Sequence, residues 1–253
     1  MAKVKPSLVE YSGTVGRVIH YTRFGRTYSR QLPAEYHDRK SEAQLRQRAL
    51  FKARQRASAL FGTILQRGLT KEAHDHGMTE ANYFSHLNKQ HFVYDGGEVR
   101  INYPALLVAR GPLSEVFVKN LHADGLHVEV SFHPCLDGAK ARPDDVVHIY
   151  AVEPQVEICM LMTSVWRQDG HATFDLPDLS DEIAEVNNSS PVLGEVPHRG
   201  RGVCTFYLYA IVESASTAGT PTLSAAEKQQ NKQHRNINRR VSRSVFVGTV
   251  IVK

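Results

Sequence analysis

The sequence predicts an α+β chain, mainly β, in which an N-terminal β-hairpin and helices precede an antiparallel β-sandwich. Three observations carry that expectation. Residues 14–31 are rich in β-branched and aromatic side chains, a capping signature at Ser41 opens a long stretch of helical periodicity, and from about residue 98 short apolar runs alternate with turn dipeptides. The expected domains are 1–97, a basic hairpin plus helical region, and 98–253, a sandwich with long polar loops at 178–202 and 214–241.

The hairpin is read from Val15, Val18, Ile19, Tyr21, Phe24 and Tyr28, with its turn at Phe24-Gly25 and its end at Pro33. Ser41-Glu42-Ala43-Gln44 is a capping box, in which the Ser41 hydroxyl accepts from the Gln44 amide and the Gln44 side chain reaches back. A single helix is expected from there to about Gln66, stopped by Gly68. Its apolar arc is Ala49, Leu50, Ala53, Ala57, Leu60, Phe61, Ile64 and Leu65. A second helix is expected from Thr79 to Phe92, with Tyr83, Phe84, Leu87 and His91 on one face. Strands follow near 99–102, 105–110, 126–132, 146–152, 157–164, 171–176, 203–213 and 243–252, separated by Gly-Pro and Asp-Gly turns. Trp166, Met160 and Met162 read as core.

Charge is distributed in three blocks. Residues 1–72 carry 15 Lys+Arg against 5 Asp+Glu, residues 73–225 carry 9 against 20, and residues 226–253 carry 7 against 1. Two basic ends thus flank an acidic body, and they either fold back on it or meet an anionic partner. The rest of the composition is that of an ordinary globular chain, 42% hydrophobic and 23% charged. Cys135, Cys159 and Cys204 are odd in number and widely spaced, which is a poor disulfide framework. The charged start is followed by no apolar signal core, and no apolar run reaches the roughly 18–20 residues of a membrane span. A cytoplasmic location without a membrane span is expected.

The run Ser12-Gly13-Thr14-Val15-Gly16-Arg17-Val18, then Gly25, Arg30 and Pro33, then Ser41, Gln44, Gln47-Arg48 and Phe51, resembles an uncharacterised family of Bacteroidota, a domain of unknown function. Its members open with SGxVGxVV and continue into an SxxQxxQRxxF helix. Tyr103-Pro104, Val108, Arg110-Gly111-Pro112-Leu113, Asp144-Asp145 and the closing Ser242 to Gly248 run also match. The resemblance implies an N-terminal β and helical unit followed by an immunoglobulin- or fibronectin-like sandwich, and it implies no activity.

The hairpin interleaves Arg17, Arg23, Arg26 and Arg30 with Tyr21, Phe24 and Tyr28. Guanidinium groups pair bidentately with phosphates and aromatic rings stack on bases, so this pattern suits a polyanion, nucleic acid in particular. The alternative is a half-buried hairpin whose arginines meet the acidic sandwich. Arg48, Lys52 and Arg56 recur every four residues on the helix, either as a phosphate-tracking stripe or as a solvated face. Arg235, Arg239 and Arg240 belong to a basic C-terminal arm whose alternative is a solubilising loop.

No nucleophile elbow, phosphate-binding loop or dinucleotide fingerprint is present, so a non-enzymatic protein without cofactor is expected. His74-Asp75-His76 is too close-set for a metal pair, and no metal site is expected. Asp144 and Asp145 are expected to serve the backbone of a turn. The leading expectation is a binding protein for an anionic polymer. The alternative is a structural or assembly protein, phage-like or envelope-associated, that forms homo-oligomers through its basic ends and acidic sandwich.

Overall fold

A computed structural model describes residues 2–3, 12–23, 26–32, 38, 40–134, 140–179, 182, 203–215 and 240–252. The expected Phe24-Gly25 turn, Pro33, and most of the loops 178–202 and 214–241 lie outside these residues. The chain divides into two compact units, Met1–Leu45 and Arg46–Lys253.

In the first unit, β1 (Ala2–Lys3), β2 (Gly13–Val15), β3 (Val18–Arg23) and β4 (Arg26–Gln31) form an antiparallel sheet in the order β1-β4-β3-β2. The predicted hairpin is β3–β4, paired from Val18↔Gln31 to Arg23↔Arg26. The capping box forms as expected. The Gln44 amide donates to Ser41 Oγ at 3.4 Å, and the Ser41 amide donates to Gln44 Oε1 at 3.2 Å. It opens α1 (Glu42–Leu60), inside which the division between the units falls.

The second unit begins with helices. Leu50, Ala53, Ala57, Phe61, Ile64 and Leu65, three and four residues apart, are all buried. The expected single helix is instead two, α1 and α2 (Gly62–Gly68), because Phe61 leaves helical geometry at φ −79° and ψ 5°. Its ring is fully buried against Phe84 and Tyr209, at centroid distances of 5.8 and 5.5 Å. Gly68 closes α2, and the reason is steric rather than conformational: a Cβ there would stand 2.5 Å from Ala109 Cβ. Two short helices follow, α3 (Thr70–Asp75) and α4 (Glu80–Leu87), the latter capped by Thr79 Oγ1, which accepts from the Asn82 amide. A hairpin of β5 (Phe92–Asp95) and β6 (Glu98–Ile101) ends this layer.

The remaining strands are β7 (Phe117–Asp124), β8 (His127–His133), β9 (Val146–Glu153), β10 (Ile158–Trp166), β11 (His171–Asp175), β12 (Cys204–Glu213) and β13 (Val245–Val252). They form two antiparallel sheets, β10-β9-β12-β13 and β11-β8-β7. The four-stranded sheet is the middle layer of the unit, and the alternation of its residues divides two cores. Tyr150, Val152, Tyr207, Tyr209 and Ile211 pack with the helices. Val147, Ile149, Ala151, Phe206, Leu208 and Ala210 pack with Val128, Val130, Phe132 and Phe174 of the three-stranded sheet. All ten residues of β12 are buried in consequence. The helix-side core runs along the chain from Leu50 to Val241.

Further expectations about elements are corrected. Residues 105–110 are not a strand. They form an extended strap whose polar groups are met by side chains instead of a ladder. The Leu107 amide donates to Asn88 Oδ1 at 2.7 Å, Asn88 Nδ2 donates to the Leu107 carbonyl at 2.9 Å, and the Val108 amide donates to Ser244 Oγ at 3.0 Å. Trp166 is not core. It takes the last place of an edge strand, has one neighbouring strand rather than two, and is 49% exposed. The second helix ends at Leu87, and Phe92, expected as its end, opens β5; strands β1, β5 and β7 have no counterpart among the expected strands.

Backbone contact at the strap yields a test. A Cβ on Gly111 would run into the Val241 carbonyl oxygen, whereas one on Gly62 meets nothing within 4 Å. Gly111→Ala is expected to cost about 1–3 kcal/mol in urea unfolding, as overpacking does. Gly62→Ala, on a helix with open space, is expected to be neutral or to gain about 0.4–1 kcal/mol.

Candidate functional site

The register of β3 and β4 sorts the hairpin into two faces. One carries the pairs Ile19↔Arg30, Tyr21↔Tyr28 and Arg23↔Arg26; the other carries Val18↔Gln31, His20↔Ser29 and Thr22↔Thr27. The interleaving of arginine and aromatic residues in the sequence thus becomes a single face, because odd positions of β3 oppose even positions of β4. The Tyr21 and Tyr28 rings stack with centroids 5.5 Å apart and planes inclined by 20°. Arg30 is exposed on this face, and Arg17 is exposed in the turn between β2 and β3. The other face is polar, with His20 Nδ1 2.7 Å from Ser29 Oγ and the Thr22 and Thr27 hydroxyls 3.3 Å apart. No described side chain between 12 and 32 is buried. Phe24, Arg235 and Arg239 lie outside the described residues, and Arg240 is exposed.

The helical stripe is less uniform than its spacing suggests. Arg48 and Lys52 are exposed. Arg56 is also exposed, but its guanidinium is held by Glu157 in the β9–β10 turn, with Nη2 at 2.6 Å and Nε at 2.7 Å from Oε1. Two arginines that the stripe omits face aromatic rings: Arg46 lies 5.9 Å from the Tyr94 centroid and Arg54 5.9 Å from that of Phe92.

Buried polar clusters are the groups that sequence spacing could not reveal. Arg167 is fully buried. Its Nε donates to the Pro134 carbonyl at 2.6 Å, Nη2 to those of Ser114 at 2.5 Å and Glu115 at 3.1 Å, and Nη1 to Asp145 Oδ2 at 3.3 Å. Asp145 Oδ2 also accepts from the Arg142 amide at 2.8 Å, the turn role expected of it. A second cluster centres on His148, 6% exposed, with Nδ1 2.7 Å from Ser164 Oγ and Nε2 3.3 Å from Glu213 Oε2. Arg67 Nε stands 3.5 Å from the same carboxylate oxygen.

The Ser164–His148–Glu213 order has the outline of a nucleophile, base and orienting acid. Its setting is that of a structural pair. Ser164 faces His148 directly in the β9–β10 ladder, and His20–Ser29 makes the same cross-strand contact at the same 2.7 Å in the N-terminal sheet. The cluster joins α2 to three strands of the middle sheet. Burial pushes the Cys159 thiol up to about 12 and raises that of Cys204, so neither is a ready thiolate. Among the described residues, no group of three or more His, Cys, Asp or Glu is placed to hold a metal ion, and no helix is long and apolar enough to cross a membrane.

No family model, no curated protein and no solved structure matches the chain.

The buried groups give two predictions. Arg167→Leu removes the guanidinium from the buried Asp145 carboxylate and from three carbonyls, and unfolding by urea is expected to show a loss of about 3–5 kcal/mol. Glu153 is buried, and desolvation raises its pKa although its Oε2 accepts from the Val156 amide at 2.8 Å. A carboxyl whose folded pKa is raised supports the fold below its unfolded pKa and loses that support as pH climbs through the folded value. Glu153→Gln is therefore expected to melt progressively higher than the parent as pH is raised from about 4 to about 8. A constant difference across that range contradicts the assignment.

Proposed function

We propose that this chain is a non-catalytic, cytoplasmic binding protein for an anionic polymer, nucleic acid foremost, and that the N-terminal sheet is its contact surface. The observation that carries the reading is the β3–β4 register, which gathers positions 19, 21, 23, 26, 28 and 30 onto one face. That face offers stacked tyrosine rings for bases and arginine positions for phosphates. Support also comes from burial. A small sheet with no buried side chain among its described residues gains little from its own packing and has surface to give to a ligand. Arg17, Arg23, Arg26 and Arg30 supply the charge, and Arg48 and Lys52 on α1 and, in sequence, Arg235, Arg239 and Arg240 are further basic positions. Arg56 contributes least, because Glu157 already neutralises it.

The sandwich serves as scaffold. Its strand orders favour an immunoglobulin-like reading, with β7, β8 and β11 in the places of strands A, B and E, and β9, β10, β12 and β13 in those of C, C′, F and G. This is the arrangement that the resemblance to the Bacteroidota family implies.

The test is fluorescence anisotropy of a labelled single-stranded oligonucleotide against the full chain over a salt series. Affinity is expected to fall with a logarithmic slope of about −0.7 for each phosphate neutralised. Arg17→Ala with Arg30→Ala should flatten the slope by about 1–2 units, and Arg56→Ala should hardly change it. Tyr21→Ala is expected to weaken binding by about 1–3 kcal/mol at every salt concentration, as loss of a stacked base does. Absence of binding at low salt, or an affinity indifferent to salt, overturns the reading.

A further inference from the structure

The three-stranded sheet buries Val128, Val130, Phe132, Ala172 and Phe174 on its core side. Its opposite face is polar on every strand. Read across the register, its rows are Asp175–His127–Asp124, Thr173–Glu129–His122 and His171–Ser131–Asn120, with His133 opposite Phe117 in a fourth. A bulge between Val118 and Asn120 breaks the β7 edge, and beside it the face is hollowed into a cleft of about 210 Å³. Asn120, His122, Glu129, Ser131, His171 and Thr173 bring their polar groups to that cleft.

We propose that this cleft takes the guanidinium group of an arginine presented by the N-terminal sheet of a second copy of the chain. The lining is rich in acceptors: a carboxylate, an amide oxygen, two hydroxyls and imidazole nitrogens, the set that a five-donor planar cation satisfies. The surroundings have the matching sign. Asp124, Glu129 and Asp175 all belong to the rows of this face. The partner is the chain itself because its first 72 residues carry the opposite excess, 15 Lys+Arg against 5 Asp+Glu, with Arg17 and Arg30 exposed. The donor sheet and the acceptor cleft are different surfaces, so the contact is heterologous and propagates from copy to copy.

The same face carries its own release. His127 lies in its outermost row, between Asp175 and Asp124, with Nε2 3.8 Å from Glu129 Oε1, so a positive charge on this imidazole sits among the three carboxylates of the face. The His127 imidazole, hydrogen-bonded to Asp175 at 2.6 Å, has its pKa raised by that bond, so loss of negative charge begins above the ordinary imidazole range. Acid therefore weakens the hold on an arginine that neutral pH admits. This docking does not depend on the polyanion reading. Both use the same arginines, so an oligonucleotide competes with it.

Light-scattering mass of the full chain over a concentration series tests the proposal. At about pH 7.5 and about 0.05 M salt the mass is expected to climb past that of a dimer of the 28.4 kDa chain, to fall at about pH 5.5, and to return to the monomer in about 0.5 M salt. Glu129→Gln with Asp175→Asn, two exposed positions, is expected to weaken self-association at least about tenfold while leaving oligonucleotide affinity unchanged. A mass fixed at the monomer at neutral pH overturns the proposal. So does self-association that persists in the double variant or strengthens in acid. Because oligonucleotide binding is read separately, failure of this docking and failure of the polyanion reading are distinguishable.

Discussion

The pairing of β9 with β12 is the constraint on which the second unit depends. These two strands are buried on both faces, so their backbone polar groups have to be met within the sheet and their side chains have to serve two cores at once. Seven ladder pairs, from Tyr207↔Val152 to Glu213↔Val146, satisfy the first demand. Strict alternation satisfies the second, with Tyr150 and Tyr209 toward the helices and Ile149 and Ala210 toward the three-stranded sheet. A one-residue slip would send each aromatic ring into the wrong layer. The helices are consequently part of the sandwich's packing: Phe61 meets Tyr209 edge-on, and the Tyr209 hydroxyl donates to the Tyr103 carbonyl at 2.7 Å.

The ends of that buried pair are fixed by charge and hydrogen bonding rather than by more apolar surface. Arg167 gathers the segments before β7, after β8 and before β9 onto one guanidinium. His148, Glu213 and Arg67 do the same where α2 crosses the sheet. Ser242 and Ser244, just before β13, lend their hydroxyls to the Val212 and Val108 amides. Such groups specify geometry more than they add stability, since a buried pair recovers little beyond its own desolvation. In the second unit they lie apart from the acidic, histidine-bearing face of the three-stranded sheet.

The legible parts of the fold were those with a local physical signature. The capping box at Ser41 and Gln44, the hairpin of residues 18–31, and the apolar runs of β9 and β12 each announce themselves within a dozen residues. The basic, aromatic face was legible as an interleaving, and only the register turned the interleaving into one face. What escaped depended on distant partners. The 105–110 strap reads as a strand because it is apolar, and its amides are met by Asn88 and Ser244, 19 and 136 residues away. Strand β7 carries a bulge that breaks its alternation, so Phe117 to Asp124 shows no clean period of two. The histidine-bearing face is spread over three strands, and no spacing in the sequence joins His122, Glu129 and His171.

The most direct measurement of the central claim, that the β9–β12 pair is the fixed centre of the second unit and that the N-terminal sheet is the proposed ligand surface, is hydrogen–deuterium exchange of the full chain with and without a single-stranded oligonucleotide. The account predicts that β9 and β12 amides exchange slowest in both states and that added protection concentrates on residues 13–31. Unchanged exchange in 13–31 with protection appearing on β7, β8 and β11 would contradict it.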